Sequence, residues 1–254
     1  MKNKLILAIS GNDIYSGGGL HADLTTYTVN KLHGFVAVTC LTTATENDFN
    51  IIPIDTQLFE QQLVSLTTIE FGAIKIGLLP NIEIAELTLQ FIKENPRIPV
   101  VLDPVLVCKE KHDVAVSNLR DELIKFFPYV DIVTPNLIEA QLLTQTTLES
   151  TEDMKEAAKI FHDLGAPAVV IKGGNRFNKE EAVDVFYDGQ NLQIISSPVL
   201  LSNNTGAGCT FASSIASQLL LGQSLWDAVK ISKKFVYQAI RESDQYGVIP
   251  YENE

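Results

Sequence analysis

Leu5-Ile6-Leu7-Ala8-Ile9-Ser10-Gly11-Asn12-Asp13 opens the first legible unit of the chain, and Ser16-Gly17-Gly18-Gly19 completes its turn. The apolar run from Leu5 to Ile9 is continuous, which predicts a strand covered on both faces. Gly11-Asn12-Asp13 reads as a turn. Residues 20–31 then place Leu20, Leu24 and Tyr27, with Leu32 just beyond, at helical spacing. Strand, glycine loop and helix make the start of a βα unit. The glycines do not fit G-x-G-x-x-G, so no dinucleotide fingerprint is read here.

The same rhythm runs down the chain. Residues 35–41 predict a second buried strand, with Cys40 as plain core. Residues 42–50 read as a polar loop. A helix over 57–67 is capped by Asp55 or Thr56. Residues 73–76 form a strand ending at Gly77, and Asn81 begins a helix through 92. The strand 99–102 ends on Asp103-Pro104. A helix over 119–127 and a strand at 132–133 lead to Thr134-Pro135-Asn136. Helices over 137–143 and 153–164 precede a strand over 168–172 that runs into Gly173-Gly174. A hairpin of 182–187 and 192–195 turns at Asp188-Gly189. Helices over 210–221 and 225–241 close the chain.

Strands alternating with helices predict an α/β fold with one mostly parallel sheet and helices on both faces. In such sheets ligands gather beyond the carboxyl ends of the strands. Gly11-Asn12-Asp13, Asp103, Asn136, Lys172-Gly173-Gly174 and residues 206–209 all fall at those ends. Scattered polar residues thereby become one constellation.

Composition narrows the class. Of 254 residues 46% are hydrophobic, enough for a sizeable core and too many for a disordered chain. The formal net charge of −12 argues against a nucleic acid or an anionic membrane as partner. It leaves room for a nucleotide, whose phosphates Mg²⁺ and backbone N–H groups can neutralise. Cys40, Cys108 and Cys209 are widely spaced and fit no zinc pattern or disulfide framework. Reduced thiols of a cytoplasmic enzyme are the simplest account. The first apolar run is too short for a signal-peptide core, and no stretch reaches the length of a membrane span. With no internal repeat or linker, residues 1–254 read as a single domain.

The chemistry centres on Ser202-Asn203-Asn204-Thr205-Gly206-Ala207-Gly208-Cys209-Thr210-Phe211. Gly206 and Gly208 flank an alanine just before a helix, so free N–H groups and the helix dipole favour an anion there. The helix start also favours a thiolate at Cys209. The turn therefore offers an anion cradle and a candidate base, or else a helix start over a buried small cysteine. Asp103 and Glu139 suit Mg²⁺, or are a turn acid and an exposed helix acid. Lys172 suits a phosphate, or is a strand-end charge. Asp23 is a polar contact to a ligand over the glycine loop, or a solvated helix acid. Together they suit phosphoryl transfer, which asks for in-line positioning, a cation and a base.

Six segments in order carry a resemblance over nearly the whole chain. They are Ile9-Ser10-Gly11-Asn12-Asp13, Gly17-Gly18-Gly19-Leu20-His21-Ala22-Asp23, Val101-Leu102-Asp103-Pro104-Val105-Leu106-Val107-Cys108-Lys109, Thr134-Pro135-Asn136-Leu137-Ile138-Glu139-Ala140, Val170-Ile171-Lys172-Gly173-Gly174 and Thr205-Gly206-Ala207-Gly208-Cys209-Thr210. This order resembles the ribokinase-like superfamily, in the branch of hydroxymethylpyrimidine (phosphate) kinases and related pyridoxine/pyridoxal kinases. The resemblance implies a three-layer sandwich with a small flap, which falls at residues 108–113. It implies ATP and Mg²⁺ as co-substrate and metal, and a vitamin B6 compound or hydroxymethylpyrimidine as acceptor. A cytoplasmic homodimer is expected, with no nucleic acid or membrane partner.

The resemblance also implies roles. Gly206, Ala207 and Gly208 would form the anion hole. Cys209 would take the place of the superfamily's usual catalytic aspartate and deprotonate the hydroxymethyl group. Asn136, Lys172, Thr205, Gly206 and Gly208 would lie on the ATP side, with Asp103 and Glu139 on the metal. Asp13, Gly19, Asp23 and Ala44 would line the ring pocket. Ala44 stands where pyrimidine kinases of the branch carry a glutamine, and it cannot hydrogen-bond an aminopyrimidine. Cys108 with Cys209 is similar to a dual-cysteine subgroup of pyridoxal kinases that pairs a lid cysteine with one in the G-x-G-C loop, and a thiol there can add to the pyridoxal aldehyde. Vitamin B6 phosphorylation is the first expectation, and the pyrimidine kinase of thiamine synthesis the second. A non-catalytic nucleotide- or vitamin-binding protein and a nucleoside or sugar kinase are the others.

Overall fold

The computed structural model describes residues 4–45, 49–106 and 114–250. The flap expected at residues 108–113, with Cys108 in it, lies outside the described residues. The strands are β1 (Leu5–Ser10), β2 (His33–Val38), β3 (Cys40–Ala44), β4 (Phe49–Pro53), β5 (Ala73–Ile76), β6 (Val100–Leu102), β7 (Ile132–Val133), β8 (Val169–Lys172), β9 (Glu181–Tyr187) and β10 (Leu192–Pro198). The helices are α1 (Gly19–Val29), α2 (Thr56–Leu66), α3 (Ile82–Glu94), α4 (Val114–Ile124), α5 (Leu137–Thr144), α6 (Thr151–Asp163), α7 (Ala207–Leu220) and α8 (Leu225–Arg241).

Eight strands form one sheet in the order β10-β9-β8-β7-β6-β5-β1-β2. The strands from β2 across to β8 run parallel, and β9 and β10 are antiparallel. Alternate side chains of each strand face opposite layers. Ile6, Ala8, Val101, Ile132 and Val170 pack with Leu20, Tyr27, Ile215 and Val229 of α1, α7 and α8. Leu7, Ile9, Ile76, Leu102, Val133 and Ile171 pack with Phe59, Ile84, Leu123, Leu143 and Phe161 of α2 to α6. Burial on both faces is why the strands read as continuous apolar runs. The three-layer α/β sandwich is as expected. Among the described residues no helix is long and apolar enough to cross a membrane.

Two expectations fail locally. The single strand over 35–41 is two strands, and the polar loop over 42–50 is mostly the hairpin of β3 and β4. The cause is at Val38. Its N–H and C=O are both bound by the Gln62 side chain, at 2.9 and 3.1 Å. Thr39 then donates its hydroxyl to the Leu78 carbonyl at 2.7 Å. The chain leaves the main sheet there and pairs antiparallel with Phe49–Pro53. Cys40 is fully buried, as expected of plain core.

The other shift is at α7, which starts at Ala207 rather than at residue 210. Gly206 caps it with φ at +82°, and Thr210 N–H donates to the Gly206 carbonyl at 2.9 Å. Ala207, Gly208 and Cys209 are therefore the first helical turn, not a loop. Beyond α8 the chain returns to this turn. Val248 N–H donates to the Thr205 carbonyl at 3.0 Å, and Asn203 Nδ2 donates to the Asp244 carbonyl at 3.0 Å.

Candidate active site

Two helix N-termini converge on one thiol. α7 presents Cys209 in its first turn, and α1 opens at Gly19, whose N–H donates toward the same sulfur. A Cβ on Gly18 would stand 3.8 Å from Cys209 Sγ, and the cysteine is half-buried there. Asp13 holds that run in shape. Its Oδ1 accepts the Tyr15 N–H at 3.0 Å and its Oδ2 the Gly18 N–H at 2.9 Å. Both oxygens of Asp13 thus accept from N–H groups of their own loop. The β3–β4 hairpin is tied on next to it. Asn12 Oδ1 accepts the Thr42 N–H, and Thr42 Oγ1 accepts the Ile14 N–H, each at 2.9 Å. Ala44 follows two residues later on the same face of β3.

On the other side of the 206–209 turn lies a cavity of about 500 Å³. Asn136, Lys172, Gly173, Asn204, Ala207 and Gly208 line it, together with the apolar Phe211, Val236 and Ile240. A site lined by apolar residues and a few polar groups suits a flat ring bearing charge at one end. Lys172 Nζ would stand 3.2 Å from a Cβ on Gly208, so the missing side chain is what lets the ammonium approach the turn. Thr205 and Gly206 are not among the cavity's lining residues. Thr205 Oγ1 donates to Asn203 Oδ1 at 2.8 Å, and its methyl faces Gly17. Asn204 and Ala207, on either side of these two residues, are among those that line it.

Lys172, Asp103, Asn136 and Glu139 come together at the strand ends, as expected. Lys172 Nζ lies 2.8 Å from Asp103 Oδ1, which also accepts the Thr134 hydroxyl at 3.2 Å. Burial pushes Asp103 up, but Lys172 and Lys75 more than offset it and hold the carboxyl below the usual range. Asn136 and Glu139 close a capping box on α5. Asn136 Oδ1 accepts the Glu139 N–H at 2.9 Å, and Glu139 Oε2 accepts the Asn136 N–H at 2.8 Å. The N-x-x-E spacing is that of a capping box, a structural signal present in the sequence. Glu139 is buried rather than exposed, only 4% accessible.

Among the described residues no group of three His, Cys, Asp or Glu could hold a metal by itself. Asp103 and Glu139 form a two-carboxylate edge. That fits Mg²⁺, which binds through one or two carboxylates together with substrate phosphates and water.

Asp23 is a correction. It neither lines a pocket nor meets solvent, being wholly buried. Its Oδ1 lies 2.9 Å from Lys75 Nζ and also accepts the Ser213 hydroxyl at 2.6 Å. Lys75 is equally inaccessible. Removing one member of such a pair strands a buried charge, at a cost of about 3–5 kcal/mol. A second pair, Asp184 with Lys233 at 2.7 Å, stands in the cavity wall, and Asp184 accepts the Gly173 N–H at 3.2 Å. Sequence reading missed Lys75, Asp184 and Lys233. A signal existed for the first, because a lysine within the apolar run Ala73-Ile74-Lys75-Ile76 needs a buried acid.

The thiol's ionisation is also a correction. The helix start was expected to bring it down. Burial instead pushes Cys209 up to about 11 in the ligand-free protein, against the pull of Lys75. Burial likewise pushes Glu139 up to about 7, from an ordinary value of 4.5. A carboxyl raised on folding adds stability below its unfolded value, and that stability is lost as pH rises through the folded value. Glu139→Gln keeps the capping box and removes the titration. It should leave the melting temperature unchanged near about pH 5 and raise it by several degrees near about pH 8, on the order of 2–3 kcal/mol. Thermal scans at the two pH values check this; a uniform shift would refute the assignment.

Residues 13–251 match the family described as Phosphomethylpyrimidine kinase. The pyridoxine kinase of Bacillus subtilis (strain 168) is 38% identical over 247 residues, covering 93% of this chain and 90% of that protein. An ADP complex of Bacillus subtilis pyridoxal kinase superposes with a TM-score of 0.92 at 36% identity, covering 98% of this chain and 97% of that one. The pyridoxal kinase from Staphylococcus aureus in complex with AMP-PCP and pyridoxal superposes with a TM-score of 0.90 at 33% identity, covering 98% and 93%.

Proposed function

Because the chain belongs to the phosphomethylpyrimidine kinase family, we propose that it transfers the γ-phosphoryl group of ATP to the 5-hydroxymethyl group of pyridoxal, pyridoxine and pyridoxamine. The observation that carries this reading is the position of Cys209. It stands in the first turn of α7, beside the glycine run that opens α1 and next in the chain to Gly208, which lines the 500 Å³ cavity. ATP takes the cavity, as the solved relatives with ADP and AMP-PCP support. The vitamin ring takes the side of Asp13, Gly19 and Ala44.

The steps follow from the residues. Cys209 accepts the hydroxymethyl proton as the oxygen attacks the γ-phosphorus, and the bond to the β-phosphate oxygen breaks to release ADP. Charge gathers on the equatorial oxygens between acceptor and donor. The N–H groups of residues 206–209 and the Lys172 ammonium face that charge. Asp103 holds Lys172 in place. Asp103 and Glu139 are the residues that would hold Mg²⁺, which would neutralise charge on the nucleotide phosphates. The whole chain, 1–254, acts as one domain. Leu41 and Ile52, 47% and 50% exposed, are cross-strand partners on the outer face of the β3–β4 hairpin, and there a second copy would form a homodimer.

The second reading is hydroxymethylpyrimidine or its phosphate as acceptor, which the family description favours. Against it, Ala44 offers no side-chain donor or acceptor to an aminopyrimidine. Comparing kcat/KM for pyridoxal, pyridoxine and hydroxymethylpyrimidine at fixed ATP tests the choice, and a preference for the pyrimidine would reverse it. Cys108 gives a finer test. Its thiol can add across the pyridoxal C=O, the sulfur bonding carbon and the proton passing to oxygen; pyridoxine has no aldehyde. Cys108→Ala should cost pyridoxal at least ~10-fold in kcat/KM, about 1.4 kcal/mol, and pyridoxine far less. Equal losses would remove the hemithioacetal.

A further inference from the structure

Against the second turn of α7, at Ser213, lies an ion pair that the transfer steps do not use. Lys75 Nζ is 2.9 Å from Asp23 Oδ1 and 3.1 Å from Oδ2, and neither side chain meets solvent. Asp23 Oδ1 also accepts the Ser213 hydroxyl at 2.6 Å. Ser213 stands four residues beyond Cys209 on α7, so the serine that grips Asp23 and the thiol share one helix face. Space for the ammonium is built in at Gly77. A Cβ there would lie 2.7 Å from Lys75 Nζ and 2.4 Å from Ser10 Oγ. A buried pair is often replaceable by apolar residues at no loss of stability, so stability alone does not account for it.

The charges around Cys209 explain what the pair does. α1 contributes Asp23 and Tyr27, β5 contributes Lys75, the end of β6 contributes Asp103, and β8 contributes Lys172. Lys172 is bound to Asp103 at 2.8 Å and borders the nucleotide cavity. Its charge is committed to that carboxylate and to the phosphates. Lys75 reaches neither solvent nor the cavity, so its charge keeps one place throughout turnover. Of the groups acting on the thiol, Lys75 is the strongest that favours the ionised form, against burial, Asp103 and Asp23.

We propose that Lys75 is a positioning residue for the proton transfer: clamped by Asp23, which Ser213 of α7 holds in turn, it is the fixed positive charge against which Cys209 becomes a thiolate. The inference rests on the reading of Cys209 as the base.

The test is the pH dependence of Cys209 carboxamidomethylation by iodoacetamide in the ligand-free full chain. It is run in a Cys108→Ser background and followed by peptide mass; Cys40 is fully buried. Below its pKa a thiol's thiolate fraction falls about tenfold for each unit that the pKa rises, and its alkylation slows by a factor of roughly three to ten. Lys75→Met should slow the reaction at fixed pH by roughly three- to tenfold, and Lys75→Arg should restore most of it. Should Lys75→Met not fold, Lys75→Met/Asp23→Asn removes both charges and should slow the reaction in the same direction by a smaller factor. Rates unchanged, or a profile moved to lower pH, in the folded variants would overturn the proposal. The pH–rate profile of phosphoryl transfer should move with the alkylation profile. If alkylation shifts and transfer does not, the electrostatic role of Lys75 stands and the role of Cys209 as base fails.

Discussion

Cys209→Ala should lower kcat for phosphoryl transfer by ~10²–10⁴-fold and leave nucleotide affinity near its original value, the effect of removing a positioned base. The separation follows from the geometry. The thiol looks onto the glycine run of α1, beside Gly18, whereas the cavity on the nucleotide side is lined by Ala207 and Gly208 but not by Cys209. The thiol of the ligand-free protein is pushed up to about 11, so at neutral pH it starts as S–H. The rate of the unmodified enzyme should therefore climb with pH on its alkaline side. Cys209→Asp substitutes the group that the superfamily resemblance puts in this position. It should recover part of the activity and move the rising limb to lower pH, because even a buried carboxyl ionises below a buried thiol. Single-turnover rates across pH, with nucleotide binding measured separately, check all of this. An alanine variant retaining most of kcat would remove Cys209 from the chemistry.

Gly206→Ala should be as damaging by another route. Gly206 has φ at +82°, and a Cβ there would lie 1.6 Å from the Gly17 carbonyl oxygen and 2.7 Å from its carbon. The left-handed backbone alone costs an ordinary residue roughly 1–2 kcal/mol. The contact is worse, since both sides are backbone and neither can rotate away. The turn of α7 must then separate from the glycine run of α1, which pulls the N–H groups of residues 206–209 off the transferring phosphoryl. Loss of such donors is worth about 10²–10³-fold in kcat, and melting should fall by several degrees at about 2–4 °C per kcal/mol. Gly165→Ala is the control. It too has a positive φ, +106°, but its Cβ would have Pro128 for its nearest neighbour, with Cγ at 3.2 Å and the backbone N no nearer than 3.9 Å. It should lose stability by a similar backbone strain and keep its transfer rate. Equal kcat for the two variants would mean that the apposition of Gly206 and Gly17 does not matter to catalysis.

Much of this protein was legible in its sequence because local signals agreed with one another. Apolar runs ending at Gly77, Asp103 and Lys172 marked parallel strands. Asn81 and Asp55 were legible as caps, and both accept the expected N–H groups. The rule that ligands gather at the strand carboxyl ends brought Asp103, Asn136, Glu139, Lys172 and the 206–209 turn into one place. The failures had nonlocal causes. β2 and β3 split because Gln62, on α2, takes the backbone of Val38. Asp13 and Asp23 belong to one glycine-rich segment and read alike. Yet the first caps its own loop, and the second is held by Lys75 from 52 residues away.

What the sequence by itself determined is the alternation of strands and helices, the edge at which polar residues collect, and the family-specific order of motifs. Each depends on residues near one another along the chain or on the period of a strand or helix. What only the tertiary structure decided is electrostatic. Residues 202–211 offer a thiol at a helix start, and that alone points to an easily ionised cysteine. Folding half-buries the thiol, sets the charges of Asp23 and Asp103 against its ionisation, and brings the opposing charge of Lys75 from β5. Desolvation and charge depend on distance through space, which no local pattern carries.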